Sequence, residues 1–203
     1  MLALVVLSLA GACASPAPRA TVGSSARPAP AAVPDLPPQA SASPSRYADP
    51  TAPPPGPPLP APIAIPADSY AREPVVELGS IEIPAIGLKH RVFQGVTLRN
   101  IDRGPSHWTG SALPGEMGNT VFAGHRATNS EPFRRIDALV PGDRVIFTVG
   151  GVRSTYRVTG HLVVRPADSW IADQTTAYTG TLYACHPVGS TAERYVVRLE
   201  LMQ

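Results

Sequence analysis

A closed or nearly closed β-barrel is the fold class this sequence predicts, and three features predict it. From Val75 onward the chain breaks into six or more short β-rich runs. Gly-Pro, Pro-Gly and Gly-Gly dipeptides at 104–105, 114–115, 141–142 and 150–151 separate them. Only one stretch reads as helix, and it is short.

The runs can be taken in order. "SIEIPAIGL" places Ile81, Ile83 and Ala85 on one side of a half-buried strand, with Pro84 marking an edge or a bend. "NTVFAGH" is a compact apolar run, followed by "DRVIFTV" and "STYRVTGHLVV". "TGTLYAC" and "RYVVRLEL" close the set. The helix is "EPFRRIDAL", with Pro132 in its first turn and Phe133, Ile136 and Leu139 sharing a face. The stretch 75–203 holds about 130 residues, enough for one core and one domain.

What precedes it is of another kind. Of the chain's 25 prolines, 18 fall in Ala14–Pro74, which reads as a disordered, partly extended Pro/Ala-rich linker. Alternating Pro, Ala and Ser bury too little apolar area to offset chain entropy. Residues 1–13, "MLALVVLSLAGAC", form an uncharged apolar leader ending in small residues, too short to span a bilayer and similar to a signal peptide. It lacks a basic leading segment, which leaves room for a start further upstream and with it a full signal or an anchor helix. Cys13 after Leu9-Ala10-Gly11-Ala12 is a candidate lipidation site, although the leucine stands one place early. Export is expected in each case.

Net charge is +2, and the linker's four arginines and four acids cancel, so the excess lies in 75–203. That is too small to imply a nucleic-acid partner, and no basic run with interleaved aromatics occurs. No zinc-ligand spacing occurs either, so neither a metal nor a cofactor is expected.

Cys13 and Cys185 are the only cysteines. With Cys13 in the leader, Cys185 has no partner, and an unpaired thiol in an oxidising compartment is either buried and inert or present to react. Between the Cys185 that ends "TLYAC" and the Arg194 of "ERYVV" lie eight residues, His186–Glu193, with Pro187, Gly189 and Ser190 among them. Folded as a hairpin about the 189–190 bond, it sets Cys185 opposite Arg194, on one face with Cβ atoms about 5 Å apart. A slip of one residue would put Arg194 on the wrong face.

A nucleophilic cysteine needs a base or a neighbouring cation. His186 adjoins Cys185, but adjacent strand residues leave opposite faces. His90 lies in a polar edge, and His107 and His161 in polar stretches, where surface or structural roles are expected. His125 ends an apolar strand, follows a glycine and precedes a polar loop, so it can project into a cleft. The residues alone set His125 only slightly above the other four.

The motifs "NTVFAGHR", "PFRRIDALVPGD", "TLYACHP" and "ERYVV", in this order and spacing, resemble the sortases, in particular the class E sortases of high-GC Gram-positive bacteria. The likeness covers essentially all of Val75–Gln203. It implies an eight-stranded sortase barrel with one or two short helices. It further implies Cys185 as nucleophile, His125 as general acid/base, and Arg194 as the group that holds the substrate and steadies the oxyanion. Implied partners are secreted proteins bearing a C-terminal sorting signal of the Leu-Ala-x-Thr-Gly type and a cell-wall precursor amine; a monomer is expected, at the outer face of the membrane or, alternatively, secreted. One position departs from the pattern: sortases usually carry Thr immediately before the cysteine, and this chain has Ala184.

Rival classes fit less well. Papain-like peptidases place the histidine after the cysteine, where this chain has only His186. The compact Ser-x-Gly-Cys motif of L,D-transpeptidases is missing. A non-catalytic surface module would keep Cys185 as a small buried hydrophobe.

Overall fold

The computed structural model describes residues 58–202. The leader with Cys13, and the linker as far as residue 57, lie outside the described residues. Eight strands occur among those described: β1 (Glu77–Ile83), β2 (Leu88–Gln94), β3 (Ser106–His107), β4 (Gly118–Ala123), β5 (Arg144–Val149), β6 (Val152–Val164), β7 (Tyr178–His186) and β8 (Glu193–Leu201). They close into a barrel in the order β1-β2-β3-β4-β7-β8-β6-β5. Closure leaves no free sheet edge.

Burial explains which face each strand turns inward. Ile81 and Ile83 of β1 are fully buried, as their alternation requires. Ala85 does not share their face. The strand ends at Ile83, Pro84 opens a 3-10 turn over Pro84–Ile86, and Ala85 is exposed. Inside the barrel Phe122 stacks on Phe147 at 4.8 Å, and Phe147 meets Tyr156 edge-on at 5.7 Å. Full burial of such side chains stabilises the fold by about 1.5–3 kcal/mol each. The Tyr156 hydroxyl accepts a hydrogen bond from the Gly115 N–H at 2.8 Å, so the buried phenol is not left unpaired.

β4 is buried along its whole length because both faces are covered. Phe122 faces the barrel core, while Val121 and Ala123 join a second cluster with Trp108 and Ala172 on the outside. Its partner β7 runs parallel to it, and a parallel strand covered on both sides reads as a continuous apolar run rather than an alternation. "NTVFAG" has that texture.

The stretch 131–139 is not an α-helix. Turns lead into a 3-10 segment over Ile136–Ala138 with no side-chain cap at its N-terminus. Phe133, Ile136 and Leu139 are nevertheless all buried. Their spacing of three residues suits 3.0 residues per turn as well as it suits an α-helical face. One α-helix occurs among the described residues, α1 (Leu98–Ile101).

Residues 58–74, read from the sequence as part of the linker, run as a strap along the outside of the barrel. The Ile63 N–H donates to the Thr109 carbonyl at 2.8 Å, and Trp108 Nε1 donates to the Ile63 carbonyl at 2.7 Å. Further along, Glu73 Oε2 accepts from Thr97 N, Thr97 Oγ1 and Asn100 Nδ2 at 3.2, 2.6 and 3.3 Å. It thereby satisfies donors at the first turn of α1 that the helix cannot satisfy itself.

Candidate active site

The hairpin register is the one the spacing implies. In the β7–β8 ladder Cys185 pairs with Arg194 and His186 with Glu193. Directly opposed residues share a face, so the thiol and the guanidinium leave the sheet together. On the other side of β7, Ala123 pairs with Tyr183 and the Gly124 N–H donates to the Tyr183 carbonyl at 3.1 Å. His125 lies two residues past this last pair, just beyond the end of β4, and Cys185 lies two residues past Tyr183 on β7. All three side chains open into one cleft of about 630 Å³.

Gly124 makes this possible through close approach. A Cβ there would sit 2.5 Å from Phe133 Cδ2. The Phe133 N–H donates to the His125 carbonyl at 3.0 Å, so the loop folds back and turns His125 outward. Its ring Nε2 lies 2.7 Å from Asp102 Oδ1. Cys185 is half-buried and unpaired. Arg194 Nη1 donates to the carbonyls of Thr191 and Glu193 at 3.0 and 2.9 Å, while Nε and Nη2 have no partner among the described residues.

Arg126, next to His125, faces the other way and is 2% exposed. Its guanidinium pairs with Asp137 at 2.5 Å, donates to His186 Nδ1 at 2.8 Å, and lies over the Tyr195 ring at 5.4 Å. A buried charge is tolerated when paired and hydrogen-bonded in this way. Because Arg126 follows His125 and His186 follows Cys185, this bond ties together the two chain ends that carry the site. His186 is thus a structural partner, as its opposite face requires. His107 is not at the surface: it is 1% exposed, with Nε2 against the Ala112 carbonyl at 2.9 Å, and burial lowers its pKa.

Tyr183 and Trp108 form part of the cleft wall, 6.1 Å apart. Burial raises the Tyr183 pKa; the nearby Cys185 adds to the rise and Arg194 opposes it. The phenol is neutral at physiological pH. Beneath it, Arg198 Nη1 donates to the Ile171 carbonyl at 3.0 Å and to Thr181 Oγ1 at 2.6 Å, fixing the 3-10 turn Ser169–Ala172 that forms another wall.

The strap supplies the remaining side. Pro62, Ile63, Ala64, Ile65 and Ser69 line the same cleft as Cys185. Starting the chain at residue 75 is expected to raise the rate at which iodoacetamide alkylates Cys185 relative to the full chain. It is also expected to cost about 0.5–2 kcal/mol of stability through loss of the Glu73 bonds, in the range of helix caps. Equal alkylation rates would mean that the strap does not cover the thiol in solution.

Sequence reasoning did not find Asp102, Arg126 or the strap. "GHR" pointed to its histidine, but nothing local marked its arginine as buried.

Sortase D of Bacillus subtilis is 30% identical over 123 residues, covering 59% of this chain and 61% of that protein. Sortase SrtE1 of Streptomyces coelicolor is 28% identical over 141 residues, covering 62% of this chain and 40% of that protein. The chain therefore spans less than two thirds of the length of either relative. Among solved structures, the Sortase D5 transpeptidase of Clostridium perfringens superposes with a TM-score of 0.58 at 32% identity, covering 63% of this chain and 79% of that one. A family model described as Sortase domain matches residues 81–202, which take in the barrel from Ile81 through Leu201 with His125, Cys185 and Arg194 on its outer face: the chain belongs to the sortase family.

Proposed function

We propose that this chain is a cysteine transpeptidase of the class E kind. It cleaves a C-terminal Leu-Ala-x-Thr-Gly sorting signal between Thr and Gly and joins the Thr to a cell-wall peptide amine. The observation that carries this reading is the convergence of His125, just past β4, with the paired Cys185 and Arg194 of β7 and β8 on one cleft.

In this mechanism the Cys185 thiolate attacks the Thr carbonyl carbon, and Arg194 stabilises the charge that develops on oxygen. The C–N bond to Gly breaks, His125 protonates the leaving amine, and a thioacyl-enzyme remains. An incoming amine gives up its proton to His125 and displaces the Cys185 thiolate. Ala184 is 2% exposed and packs in the barrel core, although it also borders the cleft. The absence of a Thr hydroxyl there leaves the three reacting groups in place.

Export follows from the leader's composition. The enzyme works as a monomer at the outer face of the membrane, with the leader either cleaved, lipidated at Cys13 or part of an anchor, and the Pro/Ala-rich stretch as tether. The test is incubation of the full chain with a sorting-signal peptide and a free amine, read by product mass; absence of any Cys185-dependent product would overturn the reading.

Class E also implies a preference that can be measured. Proline at the second position of the signal fixes φ and removes an N–H, whereas alanine keeps the donor. An acceptor in the enzyme that bonds this N–H is left unpaired by the proline peptide, at a cost of about 1–3 kcal/mol, or roughly ten- to a hundred-fold in rate. Side-by-side turnover of Leu-Ala and Leu-Pro peptides is expected to favour alanine by that margin. Equal rates would place the chain in another sortase class.

A further inference from the structure

His125 is gripped from one side. Its Nε2 lies 2.7 Å from Asp102 Oδ1, with the two side chains 15% and 30% exposed. An ionised carboxylate only accepts, so the ring hydrogen in this contact belongs to Nε2. The same oxygen accepts from Asn129 Nδ2 at 2.9 Å, and the other carboxylate oxygen accepts from the Tyr70 hydroxyl at 3.3 Å. Asn129 has φ 55°, a left-handed conformation that asparagine tolerates better than most residues.

The backbone holds Asp102 just as firmly. It follows the last residue of α1, and its N–H donates to the Leu98 carbonyl at 2.8 Å. At the other end of the same short helix, Glu73 bonds Thr97 and Asn100. Asp102 thus reaches His125 from a separate element, held at the backbone and at both side-chain oxygens.

We propose that Asp102 is a positioning residue for the reaction, fixing His125 as the Nε2–H tautomer and leaving Nδ1 to exchange protons with the cleft. The inference rests on the transpeptidation proposed above. In the first step the Cys185 S–H bond breaks and an Nδ1–H bond forms. In the second, that proton passes to the leaving glycine nitrogen as its C–N bond breaks. Between the two steps the ring is an imidazolium beside Asp102, the arrangement in which a carboxylate stabilises a cation. A histidine free to rotate would present either nitrogen and lose this order.

The test uses the full chain with Asp102→Asn, which keeps the side-chain volume, and with Asp102→Ala and Asp102→Glu. For Asn and Ala, kcat is expected to fall at least about tenfold, with general acid–base catalysis as a whole setting a ceiling near 10⁴-fold. KM should stay within about twofold, since Asp102 does not face the cleft residues that bind peptide. Glu should recover part of the loss. In ¹⁵N-histidine spectra the wild-type His125 ring should carry its hydrogen on Nε2, and Asp102→Asn should show a tautomer mixture.

Wild-type turnover with an undiminished Asp102→Asn kcat would overturn the proposal, as would an Nδ1–H tautomer in the wild type. If the wild-type chain transfers no peptide at all, the functional reading fails instead, and the spectra alone decide whether Asp102 sets the ring.

Discussion

Replacing Cys185 or His125 with alanine is expected to abolish transpeptidation, each by at least about a thousandfold, because groups that act as one unit lose most of their effect when any member is removed. The fold should not change with them. Cys185 is half-buried with no disulfide, and its strand is held by ladders to β4 and β8 on both sides. His125 stands past the end of β4, with its backbone carbonyl bonded to the Phe133 N–H independently of its ring. Both variants should therefore stay folded, the Cys185 variant melting close to wild type and the His125 variant somewhat lower for the loss of its Asp102 contact. A near-normal rate in either variant would remove that residue from the reaction and overturn the mechanism built on it. The measurement is product mass over time with peptide and amine, alongside a thermal melt of each variant.

How far such a site can be read from sequence depends on how local its geometry is. Cys185 and Arg194 were legible because one hairpin relates them, and Pro187, Gly189 and Ser190 fix where it turns. Gly189, with φ 82°, and the Ser190 N–H bond to the Pro187 carbonyl at 2.9 Å lie at that turn. His125 was not selected by pattern alone, since its nearness to Cys185 comes from a parallel pairing of strands about 60 residues apart, which no local rule specifies. Asp102 was out of reach for a similar reason. Its helix α1 has four residues, too few for a periodic signal, and it is capped by Glu73 from a stretch whose composition reads as linker.

The barrel itself was legible in its long strands and not in its short ones. β3 has two residues, and β2 carries Lys89 and Arg91 outward among its apolar positions, so neither announces itself as a strand. The strap shows the limit of a compositional argument. Pro- and Ala-rich chain cannot form a core of its own, yet Ile63 and Glu73 need only a few hydrogen bonds to a finished barrel to be held against it.

Arg194→Lys is expected to lower kcat about a hundredfold or more, the scale of losing one oxyanion donor. The substitution keeps the charge, so the size of the effect measures geometry. In the resting site Arg194 Nη1 is already committed to the Thr191 and Glu193 carbonyls. Those bonds hold the planar group in place and leave Nε and Nη2 to meet substrate oxygens as a fork. A lysine has a single nitrogen at the end of a flexible stem. It must either keep the loop carbonyls and miss the substrate, or reach the oxyanion without support. Binding should suffer less than turnover, because the charge on oxygen exists only in the transition state and in the intermediates beside it. A kcat within about twofold of wild type would mean that Arg194 acts as a point charge, and that the two carbonyl bonds merely store the side chain when no substrate is present.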